Sequence, residues 1–173
     1  MIRNIIVGMY HWNRGIGFDN KLPWHLPPDM NKFKYLTVGE GNNAVLMGRK
    51  TMESLPKGYL PKRDNIILSK KLQNTKECVD NNCYIFNDSS LALKFAENQK
   101  YDELWIIGGE EIYKNFLYNE RVDNIYVTNV IGGGLCDSYF PFIPDNFIES
   151  FKSKSYKYNN LEYFYQEFKN INV

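Results

Sequence analysis

The 173-residue chain has no excess of charge of one sign: 21 Lys and Arg face 20 Asp and Glu, a formal net charge of +1. That balance leaves no basic footprint for nucleic acid. It also excludes a chain kept disordered by its own charge. Long apolar runs are missing too; a stretch such as residues 104–107 is far too short to span a bilayer. The apolar start, residues 1–7, is too brief for a secretion signal. Cysteines number 3, an odd count, and Cys78, Cys83 and Cys136 match no zinc spacing. The expectation is free thiols in a reducing, cytoplasmic setting. The 2 histidines, His11 and His25, are too few and too badly spaced for a metal site, so none is expected. Arginine is scarce: Arg3, Arg14, Arg49, Arg63 and Arg121 are all there are, so the position of each matters. Repeats, low-complexity tracts and linkers are absent, which predicts one domain over residues 1–173. A chain of this length, 43% apolar, can bury a core without disulfides or metals.

What is present alternates. Buried strands are predicted at residues 4–10, 44–48, 65–69, 83–86, 103–107 and 124–130, and helices at 49–55, 89–98 and 110–118. Pro27-Pro28-Asp29 starts another helix, with Met30, Phe33, Lys34 and Thr37 following at helical spacing. The tail alternates around Asn159-Asn160 and reads as a hairpin of residues 147–157 with 161–168. Strands alternating with helices predict an α/β fold, a largely parallel sheet covered on both faces, made mixed by the terminal hairpin. In such sheets ligands bind beyond the carboxyl ends of the strands. That directs attention to the loop after Val7-Gly8, to Gly48-Arg49, to Ser69-Lys70 and to Gly108-Gly109.

Asp29 is the only acid between Asn20 and Gly39, amid Leu22, Trp24, Leu26, Met30 and Phe33. It shares a helix face with Phe33, so a carboxylate and a ring could grip a flat, amidine-like heterocycle. Taken alone, an Asp at a helix start is more often a cap. Gly48-Arg49-Lys50-Thr51 sets two cations at a helix start, against the dipole, which a docked anion would resolve. Gly108-Gly109 opens a helix, where backbone amides can approach a phosphate, although Glu110 and Glu111 follow and a bare turn is the commoner case. Arg63 before a strand suits a carboxylate, or pairs with neighbouring Asp64. Thr128 fills a strand and could face either way.

Six ordered blocks carry a resemblance. They are Ile16-Gly17-x-x-Asn20-x-Leu22-Pro23-Trp24-x-Leu26-Pro27-x-Asp29, then Val45-Leu46-Met47-Gly48-Arg49-Lys50-Thr51-x-Glu53-Ser54-Leu55, then Leu60-Pro61-x-Arg63-x-Asn65-Ile66-Ile67-Leu68-Ser69. Ile106-Ile107-Gly108-Gly109-x-x-Ile112-Tyr113, Tyr126-Val127-Thr128 and Asp137-Ser138-Tyr139-Phe140-Pro141 follow. This pattern closely resembles dihydrofolate reductase from about residue 4 to about residue 168.

The resemblance implies a mostly parallel eight-stranded sheet with an antiparallel C-terminal strand, and NADPH-dependent reduction of 7,8-dihydrofolate to tetrahydrofolate. Asp29 is implied as the pterin's carboxylate, with Trp24 and Thr128 holding an ordered water and Asp29 itself. Hydride would reach pterin C6 and a proton would reach N5 through water. Ile6, Val7 and Ile107 would offer backbone groups. Met30, Phe33, Leu55 and Leu60 would wall the substrate, and Arg63 would take its α-carboxylate. Tyr113 would lie near the nicotinamide. Gly8, Ile16, Gly48, Arg49, Lys50, Thr51, Leu68, Ser69, Lys70, Gly108, Gly109, Glu110, Glu111 and Ile112 would form the cofactor site, with Gly108-Gly109 as a cis peptide. Arg49 with Ser69-Lys70 would favour a 2′-phosphate. The loop from about Met9 to Trp24 would be a mobile lid. A monomer without nucleic-acid or membrane partners is implied. Departures from the pattern are Glu110 beside the expected pyrophosphate, Tyr10-His11-Trp12-Asn13 in the lid, and Met30. Rival readings are a reductase of riboflavin synthesis on the same fold, which Asp29, Trp24 and Arg63 speak against, and a ligand-binding or purely structural domain.

Overall fold

The computed structural model describes the backbone of residues 1–173 and the side chains of residues 1–75 and 78–173. Its main sheet is built on β1 (Ile2–Tyr10), β3 (Asn43–Gly48), β4 (Asp64–Leu68), β5 (Cys83–Phe86), β6 (Glu103–Gly108) and β7 (Asn124–Val130). These six are mutually parallel, and β1 lies between β6 and β7. β11 (Leu161–Asn170) adds to β7 antiparallel. Both β9 (Phe147–Lys152) and β10 (Tyr156–Tyr158) pair with the outer edge of β11. Nine strands therefore occupy eight positions across the sheet, and the predicted hairpin is present with a break at residues 153–155. The mixed, mostly parallel sheet agrees with the expected fold class.

Alternation along each strand divides the core. Ile5, Val7, Met9, Ile125 and Val127 face one side and pack with Ala92, Leu93 and Ala96 of α4 (Ser89–Gln99) and with Tyr113, Phe116 and Leu117 of α5 (Glu110–Asn119). Ile6, Val45, Met47, Ile67 and Trp105 face the other side, beneath Phe33 and Leu36 of α1 (Pro27–Val38) and Met52 of α2 (Arg49–Ser54). Two of the helices begin for a clear local reason. Pro27 and Pro28 occupy the first positions of α1, where a missing N–H costs nothing. Asp88 caps α4 by accepting from the backbone N–H of Ser90 and Leu91.

Two features lie outside the sequence reading. A short helix, α3 (Lys76–Asp80), precedes β5. A two-stranded sheet joins β2 (Gly15–Gly17), inside the expected lid, to β8 (Ser138–Tyr139). This loop is thus strapped to the segment after β7. Asp137 Oδ2 accepts from the N–H of Asp19, and Arg14 donates through Nε to the Phe140 carbonyl with its guanidinium 3.6 Å from the Phe142 ring centre. Among the described residues no helix is long and apolar enough to cross a membrane.

Candidate active site

One row of the sheet organises the site. Gly8 of β1 is in register with Thr128 of β7, which is in register with Tyr165 of β11. α1 crosses above this row and brings Asp29 down onto it. Asp29 does not cap the helix: the N-cap is Leu26, and no side chain makes a cap bond there. Its Oδ1 instead accepts a 2.6 Å hydrogen bond from Thr128 Oγ1. Such a short O–H···O⁻ contact is charge-assisted. A Cβ on Gly8 would stand 3.2 Å from Trp24 and 3.6 Å from Asp29 Oδ2, so the bare glycine lets both side chains approach the strand. Trp24 is held edge-on by Tyr10, with ring centres 4.9 Å apart.

Asp29 lies in a cleft lined by Ile6, Lys32, Phe33, Leu36, Tyr126, Thr128 and Tyr165. Burial pushes its carboxyl above the ordinary carboxylate range; the Thr128 bond and then Lys32 pull it back. Of the apolar residues expected around a substrate, Phe33, Leu55 and Leu60 belong to one cluster with Ile6 and Ile107, and Ile6 and Phe33 line the cleft. Met30 stands apart, 52% exposed and outside the lining of this cleft. At the far end of α1, Arg63 is 5% exposed and donates to Thr37 Oγ1 at 2.7 Å and to the Pro61 carbonyl at 3.0 Å. The alternative pairing with Asp64 is not formed; Asp64 accepts from the Tyr101 hydroxyl. Among the described residues Arg63 has no carboxylate partner.

A second group of residues meets where β3 and β6 end. The Gly108–Gly109 peptide is cis. Gly108 has φ +110°, and a Cβ there would lie 2.9 Å from the Tyr113 ring, so only glycine fits. Tyr113 is buried and donates from its hydroxyl to the Ile6 carbonyl at 2.9 Å, joining this end of the site to the cleft. The first turns of α2 and α5 carry no side-chain cap, and their N-caps, Gly48 and Gly109, lie close together: Gly109 comes within reach of Thr51 Oγ1, and Gly48 of Ile112 and the Gly108 carbonyl. Arg49 pairs with Glu53 at 2.6 Å, while Lys50 and Lys70 are exposed. Ser69 is buried and its Oγ accepts from the N–H of Lys71 and Leu72, which leaves its hydroxyl hydrogen free to donate. Glu110 turns away from this junction to accept from the N–H of Tyr139 at 2.9 Å, while Glu111 follows it in the first turn of α5. Leu68 is half-buried at the end of β4, and Ile16 packs on the core from inside β2. Backbone donors and cations at this junction suit a phosphate-bearing dinucleotide.

Lys32, Leu36, Tyr126 and Tyr165 were not singled out by the sequence. Lys32 could have been, since it lies three residues beyond Asp29 on the same helix face. Tyr165 carries no such signal; only its register with Thr128 brings it there.

Comparison with known proteins agrees with this geometry. The family model described as dihydrofolate reductase matches residues 3–170. The dihydrofolate reductase of Heliothis virescens is 30% identical over 171 residues, covering 92% of each chain. That of Haemophilus influenzae is 38% identical over 130 residues, 75% of this chain and 72% of its own. The bifunctional dihydrofolate reductase-thymidylate synthase of Paramecium tetraurelia is 32% identical over 164 residues, 92% of this chain but 33% of its own length. With the match running through both halves of the site, the chain belongs to the dihydrofolate reductase family.

Proposed function

We propose that this protein reduces 7,8-dihydrofolate to 5,6,7,8-tetrahydrofolate with NADPH. The observation that carries the reading is Asp29: a carboxylate in an apolar cleft, hydrogen-bonded to Thr128, with its second oxygen over Gly8. That oxygen pair matches the N3 and 2-amino edge of a pterin, a bidentate charge-assisted contact. Phe33, Leu55 and Leu60 offer the wall for the flat rings. Arg63, immobilised by Thr37 and Pro61, presents its remaining guanidinium edge to the α-carboxylate of the glutamate tail.

When bound, the nicotinamide supplies hydride to pterin C6. Gly108, Gly109, Arg49, Lys50, Thr51, Ser69 and Lys70 would hold its dinucleotide, with Arg49 released from Glu53 and, with Lys70, turned to a 2′-phosphate. The protein's own part is positional and electrostatic. Asp29 orients the pterin and favours the ring protonated at N5, the proton arriving through water. The apolar cleft and the strapped lid exclude bulk solvent around that charge. Residues 1–173 would form one catalytic domain, a cytoplasmic monomer without nucleic-acid or membrane partners.

The test follows the loss of reduced-nicotinamide absorbance by the purified protein with dihydrofolate. Turnover with NADPH, and much less with NADH, is expected. No turnover by folded protein would sink the reading.

A further inference from the structure

The cleft holds a second charge that the reading above does not use. Lys32 lies just under one turn beyond Asp29 on α1, a spacing that puts Cβ atoms about 5–6 Å apart. It is not a solvated surface lysine. It lines the same cleft as Asp29 and Thr128, and its Nζ stands 3.5 Å from the centre of the Tyr165 ring. Tyr165 is itself in register with Thr128, so cation, ring, hydroxyl and carboxylate form one continuous wall. No carboxylate oxygen among the described residues is within ion-pair distance of Lys32.

The groups that face this pair come from three elements. Asp29 shares α1 with Lys32. β7 supplies the Thr128 hydroxyl and Tyr126. β11 supplies Tyr163, Tyr165 and Glu167, the last in register with Tyr126. Arg63 stands at the other end of α1, engaged by Thr37. Burial disfavours the Lys32 ammonium, while Glu167 and Asp29 favour it. The effect is reciprocal, since Lys32 is one of two influences that draw the Asp29 carboxyl back down.

We propose that Lys32 is a positioning residue for Asp29, a fixed cation in the wall of the pterin cleft whose charge sets the pH range in which the enzyme works. The inference rests on Asp29 being the pterin's carboxylate. The cation favours ionised Asp29, so it extends substrate binding toward acid. It also offsets part of the carboxylate's field at the reacting ring, so protonated pterin is lost at a lower pH. Both limbs of the activity profile therefore lie lower than Asp29 alone would place them. A lysine that merely packs its stem on Tyr165 would affect stability and leave both limbs in place.

The experiment records kcat/KM and kcat from acid to alkaline pH for the wild type, K32M, K32Q and K32R. Removing a unit charge a helical turn away should raise both limbs by about half a pH unit or more in K32M and K32Q. K32R should retain the wild-type profile. In an Asp29→Asn background the acid limb set by Asp29 is gone and K32M has none to move, while K32M should still raise the alkaline limb, because the cation acts on the protonated ring directly. Wild-type limbs in K32M or K32Q overturn the proposal, provided D29N has lost turnover. A D29N protein with undiminished turnover would instead overturn the assignment of Asp29. A measurement free of variants is the NMR titration of the Asp29 carboxylate carbon in the wild type. It should show a second, alkaline step as Lys32 loses its proton, because the two sites are coupled. Its absence also overturns the proposal.

Discussion

Replacing Thr128 with valine keeps a branched side chain on β7 and removes one oxygen, the donor to Asp29. The 2.6 Å separation and the buried position of Thr128 make this a bond to a charged acceptor. Such bonds contribute about 1.5–3 kcal/mol. Asp29 keeps some contact with solvent, which places the loss in the lower part of that range, about 2 kcal/mol near neutral pH. Once Asp29 is protonated the bond is between neutral groups and contributes about 1 kcal/mol. The Thr128→Val penalty should therefore fall by about 1 kcal/mol between neutral and acid solution. Urea denaturation of the ligand-free protein at the two pH values reads this directly. The neutral-pH loss corresponds to a melting temperature lower by about 4–8 °C for a chain of this size. Because Thr128 draws the Asp29 carboxyl down, the acid limb of kcat/KM should also move to higher pH in the variant. In an Asp29→Asn background the penalty should be small and independent of pH. An equal penalty at both pH values would show that Thr128 matters only as volume, and the account of Asp29 would fail.

Four other outcomes are expected. Asp29→Asn should lose most turnover near neutral pH and recover part of it in acid, where substrate arrives already protonated. The same variant should melt higher than wild type near neutral pH when ligand-free. Burial raises the Asp29 carboxyl above its ordinary value, so the folded state binds its proton more readily than the unfolded state, and stability falls as pH rises through that window. Below the window the gain should vanish, and an unchanged melting temperature throughout would contradict the strained carboxylate. Arg63→Ala should weaken folate binding by tenfold or more, on the order of 1.4 kcal/mol, while barely affecting a pterin without the glutamate tail; equal losses in calorimetry argue against the clamp. Arg49→Ala with Lys70→Ala should narrow the ratio of NADPH to NADH kcat/KM, and an unchanged ratio moves 2′-phosphate recognition elsewhere.

Much of this molecule is legible along the chain because its determinants are local. The apolar runs that became β3, β4 and β6 are continuous, as strands buried on both faces require. Asp29 could be picked out because nothing else acidic surrounds it for almost twenty residues. What stayed hidden depends on partners far away. Thr128 and Asp29 are separated by 99 positions, and a threonine in a strand gives no sign of which face it serves until β1 and β11 are laid beside it. β8 is two residues long and exists only because β2 pairs with it. α3 has five residues, too few for a helical period to be visible. Glu110 likewise makes a contact no local pattern shows, accepting from the Tyr139 N–H 29 positions away.

The placement of β1 between β6 and β7 has a consequence for how the protein is made. β1 leaves the ribosome well before its two neighbours, which begin only at Glu103 and Asn124. Until they emerge, β1 has no ladder on either side, and its alternating apolar side chains must wait without a sheet. Closing such distant pairings is slow compared with local ones. A nascent chain arrested before residue 124 carries Asp29 but not Thr128 or Tyr165, so the cleft around Asp29 lacks two of its walls. The wall around Asp29 can therefore close only once Tyr165 of β11 has been made.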